Sequence, residues 1–198
     1  MGLEYEYEDG QTPLDEDEKD GLLIETITTQ DELDEHEQRN IEKAIEWTIH
    51  NKLKSEKILS EKFIKELHRK MFSEIWKWAG EFRQSEKNIG VNWIAIPIDL
   101  RTLLDDTKYW IKNSTYSPDE IAIRFKHRLV NIHCFPNGNG RHSRIMADII
   151  IDSVFDKEIF TWHHSNMVRA GEVRAKYIAA IREGDKGNIN KLIEFARN

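Results

Sequence analysis

The sequence predicts an all-α protein carrying a single β-hairpin. Apolar residues recur at helical spacing in every segment long enough to judge, and several of those segments open on a Ser or Thr followed by acidic residues. Only Gly90 to Pro97 is β-branched and aromatic enough to read as a strand, and Phe82 to Ile89 is its one good partner. A lone hairpin is marginal in water, so it must lie on helices or clamp something.

The net charge of -7 is unevenly spread along the 198 residues. Residues 1–20 hold nine acidic side chains against Lys19, leaving 27 acidic and 28 basic residues for the remainder. The expectation is an acidic, solvated arm over residues 1–30 and a nearly neutral domain over 31–198. A neutral body argues against nucleic acid as a partner, since phosphate-backbone binding needs a basic face. No apolar run approaches the roughly 20 residues that span a bilayer, and the acidic start lacks the layout of a signal peptide. No membrane partner and a cytoplasmic location are therefore expected. Cys134 is the single cysteine, so no internal disulfide can form.

After a short apolar patch at Gly21 to Ile24, Thr28 or Thr29 can cap a helix from about Asp31 to Lys54, with Leu33, Ile41, Ala44 and Ile45 on one stripe. Ser60 can cap the next, where Phe63, Ile64, Leu67 and Met71 repeat the pattern, and Gly80 suits the left-handed turn beyond it. Asp99 can cap a helix carrying Leu100, Leu103 and Leu104. Ser117-Pro118-Asp119-Glu120 is the clearest start signal: Ser as N-cap, Pro at the first helical position and acids in the first turn. The helix it opens delivers the chain to His133. Ile145, Met146, Ile149 and Ile150 form one side of a further helix ending before Asp156. Ser165 can cap another that stops near Gly184, and a last runs from about Asn188 to Ala196.

The loop between His133 and Arg144 carries the chemistry. Gly138 and Gly140 flank Asn139 just ahead of a helix, so backbone N–H groups can approach an anion at a helix N-terminus. Arg141 and Arg144 fall on one face of the first turn, where the macrodipole disfavours cations unless a polyanion is bound. His133 is the side chain here suited to moving a proton near neutral pH. A dinucleotide fingerprint is excluded by the preceding helix and by Ser143 at the third glycine position, and the Walker A ending is missing. His127, His142, His163 and His164 lack the spacing of a zinc site, and Cys134 reads as a packing residue.

This loop resembles the Fic signature, His-x-Phe-x-Asp/Glu-Gly-Asn-Gly-Arg-x-x-Arg, at every fixed position except Asn137, which stands where the acid belongs. The similarity extends to Trp78-Ala79-Gly80-Glu81-Phe82-Arg83, to Asn88-Ile89-Gly90 and to Asn190 through Phe195, and is strongest over residues 60–198. The N-terminal portion, with Pro136-Asn137, is similar to a bacterial subgroup labelled mobile mystery protein B. The resemblance implies a Fic-type helical bundle with a hairpin flap, and transfer of AMP from ATP to a hydroxyl of a protein substrate. It implies His133 as the base and Gly138, Asn139, Gly140, Arg141 and Arg144 as the nucleotide site. Asn137 takes the place of the ligand to Mg²⁺ or Mn²⁺, as a neutral and weaker donor. The resemblance also implies that Ile89, Gly90, Val91, Asn92 and Trp93 belong to the target-docking flap. The phosphotransferase branch of the family has a lysine at the position of Gly140, which this chain lacks. The alternatives that Asn137 leaves open are a nucleotide-binding protein of weak catalysis and a toxin-type protein silenced by an antitoxin-type partner. Family members often block ATP through a glutamate in Ser/Thr-x-x-x-Glu-Gly/Asn; the partial match here is Thr28 to Glu32, which makes Glu32 the candidate inhibitor of Arg144.

Overall fold

A computed structural model describes residues 13–51, 53–162 and 171–198. Their elements in order are α1 (Glu16–Lys19), α2 (Gln30–His50), α3 (Ser55–Ile58), α4 (Glu61–Phe72), a 3-10 turn (Trp93–Ala95), α5 (Ile96–Asn113), α6 (Pro118–Ile132), α7 (Asn139–Ser153), α8 (Gly171–Asp185) and α9 (Asn190–Arg197). The bundle centres on α6, which packs against α5 and α7 and touches α9, while α2 lies on α4 and α8 on α9.

Local chemistry sets the helix starts. Thr29 Oγ1 accepts the Glu32 N–H while the Glu32 carboxylate accepts the Thr29 N–H, a reciprocal capping box. Ser60 accepts from the Phe63 N–H and Ser117 from the Glu120 N–H, as their positions predict. Phe63, Ile64, Leu67 and Met71 of α4 are fully buried with Leu100 and Leu103 of α5, Phe125 of α6 and Met146 and Ile150 of α7. At roughly 1.5–3 kcal/mol for each large apolar side chain removed from water, this stripe outweighs any cap. The sequence cap at Asp99 is corrected: α5 starts at Ile96, with Pro97 in its first turn, where a missing N–H costs nothing. Ser165 and its helix start, with His163 and His164, lie outside the described residues.

The β-hairpin is also corrected, since there is no strand among the described residues, only one isolated antiparallel bridge between Leu22 and Trp76. Residues 82–89 do not pair with 90–97 because Arg83 organises them otherwise. Its backbone N–H donates to Cys134 O at 2.9 Å, and its side chain is 2% exposed. The guanidinium donates to His133 O (2.6 Å), to Ser85 O (2.7 Å) and to Val91 O. Carbonyls that a hairpin would direct across to a partner strand are turned inward onto one cation. Beyond them, Asn92 Oδ1 accepts the Ile94 N–H and closes the 3-10 turn that leads into α5.

The expected solvated arm is tied down in its described part. Leu14 is buried, Asp15 accepts from Ser85 Oγ at 2.7 Å, and Lys87, its side chain 2% exposed, pairs with Asp15 (2.9 Å) and Glu18. Trp78 Nε1 donates to Glu18 O at 3.0 Å. The acids at this position have a buried lysine to neutralise, which composition alone could not reveal. None of the helices among the described residues is long and apolar enough to cross a membrane.

Candidate active site

Helix α6 is capped by His133, a non-glycine residue in the left-handed conformation (φ 57°), and α7 begins after Gly138 (φ 77°). Between them the chain makes a tight loop whose shape is held by side chains. Asn139 Nδ2 donates to Phe135 O at 2.7 Å and its Oδ1 accepts the Phe135 N–H at 3.0 Å, so this buried amide clasps the loop shut. Gly138 has no room for a side chain: a Cβ would stand 2.5 Å from the Phe72 ring. Gly140 differs, since a Cβ there would meet nothing within 4 Å. Packing does not require that glycine, and the space beside it is open.

The first α-helical bond of α7 runs from the His142 N–H to Gly138 O at 2.9 Å. The N–H groups of Asn139, Gly140 and Arg141 precede it and are the orphan donors of the helix start. With the helix dipole behind them they form an anion cradle bordered by the open space at Gly140. The sequence-predicted nucleotide residues Gly138, Asn139, Gly140 and Arg141 therefore come together at one helix end. Arg144 lies one turn on, with its guanidinium 5.7 Å from the Tyr177 ring centre.

His133 is 5% exposed. Burial, reinforced by the Arg83 and Lys87 charges, lowers its pKa to about 4, against a hydrogen bond to the Val130 backbone that raises it. Its imidazole is neutral at pH 7 and able to accept a proton. Cys134 lies fully buried with its thiol pushed up to about 12, which removes it as a nucleophile.

Of the proposed flap residues, Gly90 borders His133. Gly90 (φ 107°) packs so closely that a Cβ would stand 2.7 Å from His133 Cβ. Val91 donates weakly to Ile132 O (3.4 Å), and Ile89 and Trp93 are 43% and 37% exposed.

The loop's oxygens do not fit a divalent metal site. Asn137 Oδ1 accepts the Gly138 N–H, Asn139 Oδ1 is used by Phe135 and Gly140 O accepts from Ser143 Oγ. No group of three His, Cys, Asp or Glu residues able to hold an ion occurs among the described residues. Hard divalent cations favour charged oxygens, and Asn137 offers only a neutral one.

Glu32 is exposed and spends its carboxylate on Thr28 and Thr29 at the start of α2. The acid that meets a loop arginine is Glu37, 4% exposed: it pairs with Arg141 Nη1 through one oxygen and accepts the Trp76 indole N–H at 2.6 Å through the other. The signal for it was available as a charge on an apolar stripe, since Glu37 falls between Leu33 and Ile41 on the buried face of α2. Arg83 lies at the end of the run Trp78 to Arg83, and its role follows from a contact with His133 O, 50 residues on, that no local pattern announces.

Residues 58–151 match the Fic/DOC family. The chain is 26% identical over 138 residues to the Protein adenylyltransferase Fic of Drosophila virilis, a stretch covering 68% of this chain and 27% of that protein. It thus spans about a quarter of the length of this curated relative. Among solved structures it superposes on a Fic-domain signalling protein from Bacteroides thetaiotaomicron with a TM-score of 0.65 at 18% identity, covering 80% of this chain and 66% of that one. The BepC protein of Bartonella tribocorum, solved with bound AMPPNP, gives 0.65 at 15% identity over 86% and 87% of the two chains.

Proposed function

Taking residues 58–151 as a Fic/DOC segment, we propose that the chain transfers AMP from ATP to a hydroxyl side chain of a protein substrate. The single observation that carries the reading is the open space at Gly140 beside three orphan N–H groups, a cradle for phosphate that packing does not demand.

In this mechanism the target hydroxyl oxygen attacks the α-phosphorus, and the bond from that phosphorus to the bridging oxygen breaks. Pyrophosphate leaves, and His133 takes the hydroxyl proton. A base of pKa about 4 is weak but fully unprotonated at neutral pH, so its value lies in availability and position. The N–H groups at the start of α7 take up charge on the phosphates, with Arg141 and Arg144 on the departing pair. The chain supplies no ligand to a metal in this scheme; Mg²⁺ or Mn²⁺ would have to arrive held by the nucleotide's own phosphates. The exposed apolar side chains of Ile89 and Trp93, on either side of the Gly90 that touches His133, would receive the target through side-chain contact rather than a preformed hairpin.

Glu37 gives this site a resting state. With Arg141 held by a carboxylate of the same chain, one phosphate position is already filled by negative charge. The silencing for which the sequence offered Glu32, or an antitoxin-type partner, is here assigned to Glu37.

The test is incubation of the protein with ATP labelled on the α or on the γ phosphate, beside His133→Ala. Protein-bound label from the α position alone, lost in the variant, is the expected result. Label from the γ position would mean kinase chemistry. Nucleotide binding without label would reduce the function to a binding module.

A further inference from the structure

His68 lies outside the signature, on α4, yet it touches the loop from below. It is completely buried. The Gly80 N–H donates to its Nδ1 at 2.9 Å, and a backbone N–H can only donate. Nδ1 is therefore the bare nitrogen and the ring hydrogen sits on Nε2, 3.1 Å from the Asn137 carbonyl. The ring stacks on Phe135 at 3.7 Å between centres, with 17° between planes, and cannot swing away. From these contacts we infer that His68 is the positioning residue of the phosphate loop: its Nε2–H draws the Asn137 carbonyl inward and so aims the Gly138 N–H outward as a further donor of the cradle.

The step from one bond to the other follows from peptide geometry. Carbonyl and N–H of a trans peptide point in opposite directions, so a carbonyl anchored on the floor fixes the N–H of the same unit toward the open side. On that side the Gly138 N–H is met by Asn137 Oδ1. That neutral oxygen stands in for a phosphate oxygen, and a bound polyanion displaces it. Deep burial lowers the His68 pKa well below its ordinary value, which keeps this tautomer intact across the physiological range. His142, in edge contact with both His68 (5.6 Å between ring centres) and Phe135 (5.2 Å), has its ring bonded to Ile64 O at 3.0 Å rather than to the Asn137 carbonyl.

The inference rests on the nucleotide reading of the loop, and two substitutions separate it from a purely structural role. His68→Gln places an amide N–H where Nε2 stands and keeps the bond to Asn137, losing the one from Gly80. His68→Asn places an oxygen where Nδ1 stands and keeps the Gly80 bond, losing the one to Asn137. Each loses one buried hydrogen bond, so Tm should fall by a similar amount in both. ATP affinity by titration calorimetry should stay within about twofold of wild type in the Gln variant and weaken about tenfold or more in the Asn variant. Equal affinities in the two variants, or the reverse order, overturn the assignment. Failure of the wild-type chain to bind ATP would overturn the nucleotide reading instead. The positioning claim would then be decided by amide hydrogen exchange at residues 138–141, faster in the Asn variant only; equal exchange sinks it. Should neither variant fold, nitrogen NMR of the wild-type imidazole decides: the hydrogen on Nε2 is required, and an Nδ1–H tautomer refutes the proposal.

Discussion

Replacing Gly140 by alanine should stabilise the protein while weakening its hold on nucleotide. Gly140 sits in the first turn of α7 with a backbone that does not need glycine, and its added Cβ would touch nothing within 4 Å. Alanine is better than glycine in a helix by up to about 1 kcal/mol, less in the first turn, so a gain of about 0.5 kcal/mol is expected. For a chain of this size that raises Tm by about 1–2 °C. The same methyl group enters the space assigned to phosphate. Loss of one charge-assisted hydrogen bond, at about 1.5–3 kcal/mol, weakens ATP binding by about 10- to 100-fold. Thermal melts and ATP titration measure the two effects on one preparation. A stabilised variant that binds ATP as wild type does would show that the open space is not the ligand's. A lowered Tm would refute the packing argument itself. Gly138→Ala is the contrast: with φ at 77° and Phe72 2.5 Å away, it should lose both stability and binding.

Glu37→Gln keeps an oxygen for the Trp76 indole but removes the charge held by Arg141; ATP affinity should rise by about 5- to 10-fold in titration calorimetry, and an unchanged affinity would release Glu37 from any regulatory role. Arg83→Lys cannot reach His133 O, Ser85 O and Val91 O together, so a loss of about 2–4 kcal/mol by urea unfolding is expected, together with a drop in transfer rate. Asp148 is raised to about 7 by burial, against hydrogen bonds from Trp162 and the Phe160 backbone. The folded state therefore binds this proton more tightly than the unfolded one, and stability from it, complete below about 3.8, is lost as pH rises toward 7. Asp148→Asn, which keeps an oxygen for both donors, should add on the order of 2 kcal/mol at pH 8 and far less at pH 4. A gain equal at both pH values would show that the carboxyl is not desolvated.

The legible parts of the fold were those fixed by neighbours in sequence. Ser60, Thr29 and Ser117 cap the helices their side chains announce, and Gly80 takes the left-handed turn (φ 81°). The hairpin reading failed because strand propensity is a statement about a pleated, half-buried surface, and Val91 to Ile96 meets a buried guanidinium and a helix start instead. At the candidate site, the loop's donors could be read from Gly138, Gly140 and the helix that follows. Its supports are less legible: Glu37 stands out as a charge on an apolar stripe but its partner Arg141 lies 104 residues on, and His68 reaches Asn137 across 69 residues with no local signal.

The carbonyls gathered on Arg83 have a further consequence. Ser85, Val91 and His133 are bound to one planar cation as donor atoms are bound in a chelate, and a chelate resists losing a single arm. The segment from 83 to 91 should not fray from either end; it should hold or release as a piece. When it releases, the contact of Gly90 with the Cβ of His133 and the Arg83 charge that lowers the imidazole pKa are lost in the same event, so the surroundings of the base and its strength are governed by one guanidinium.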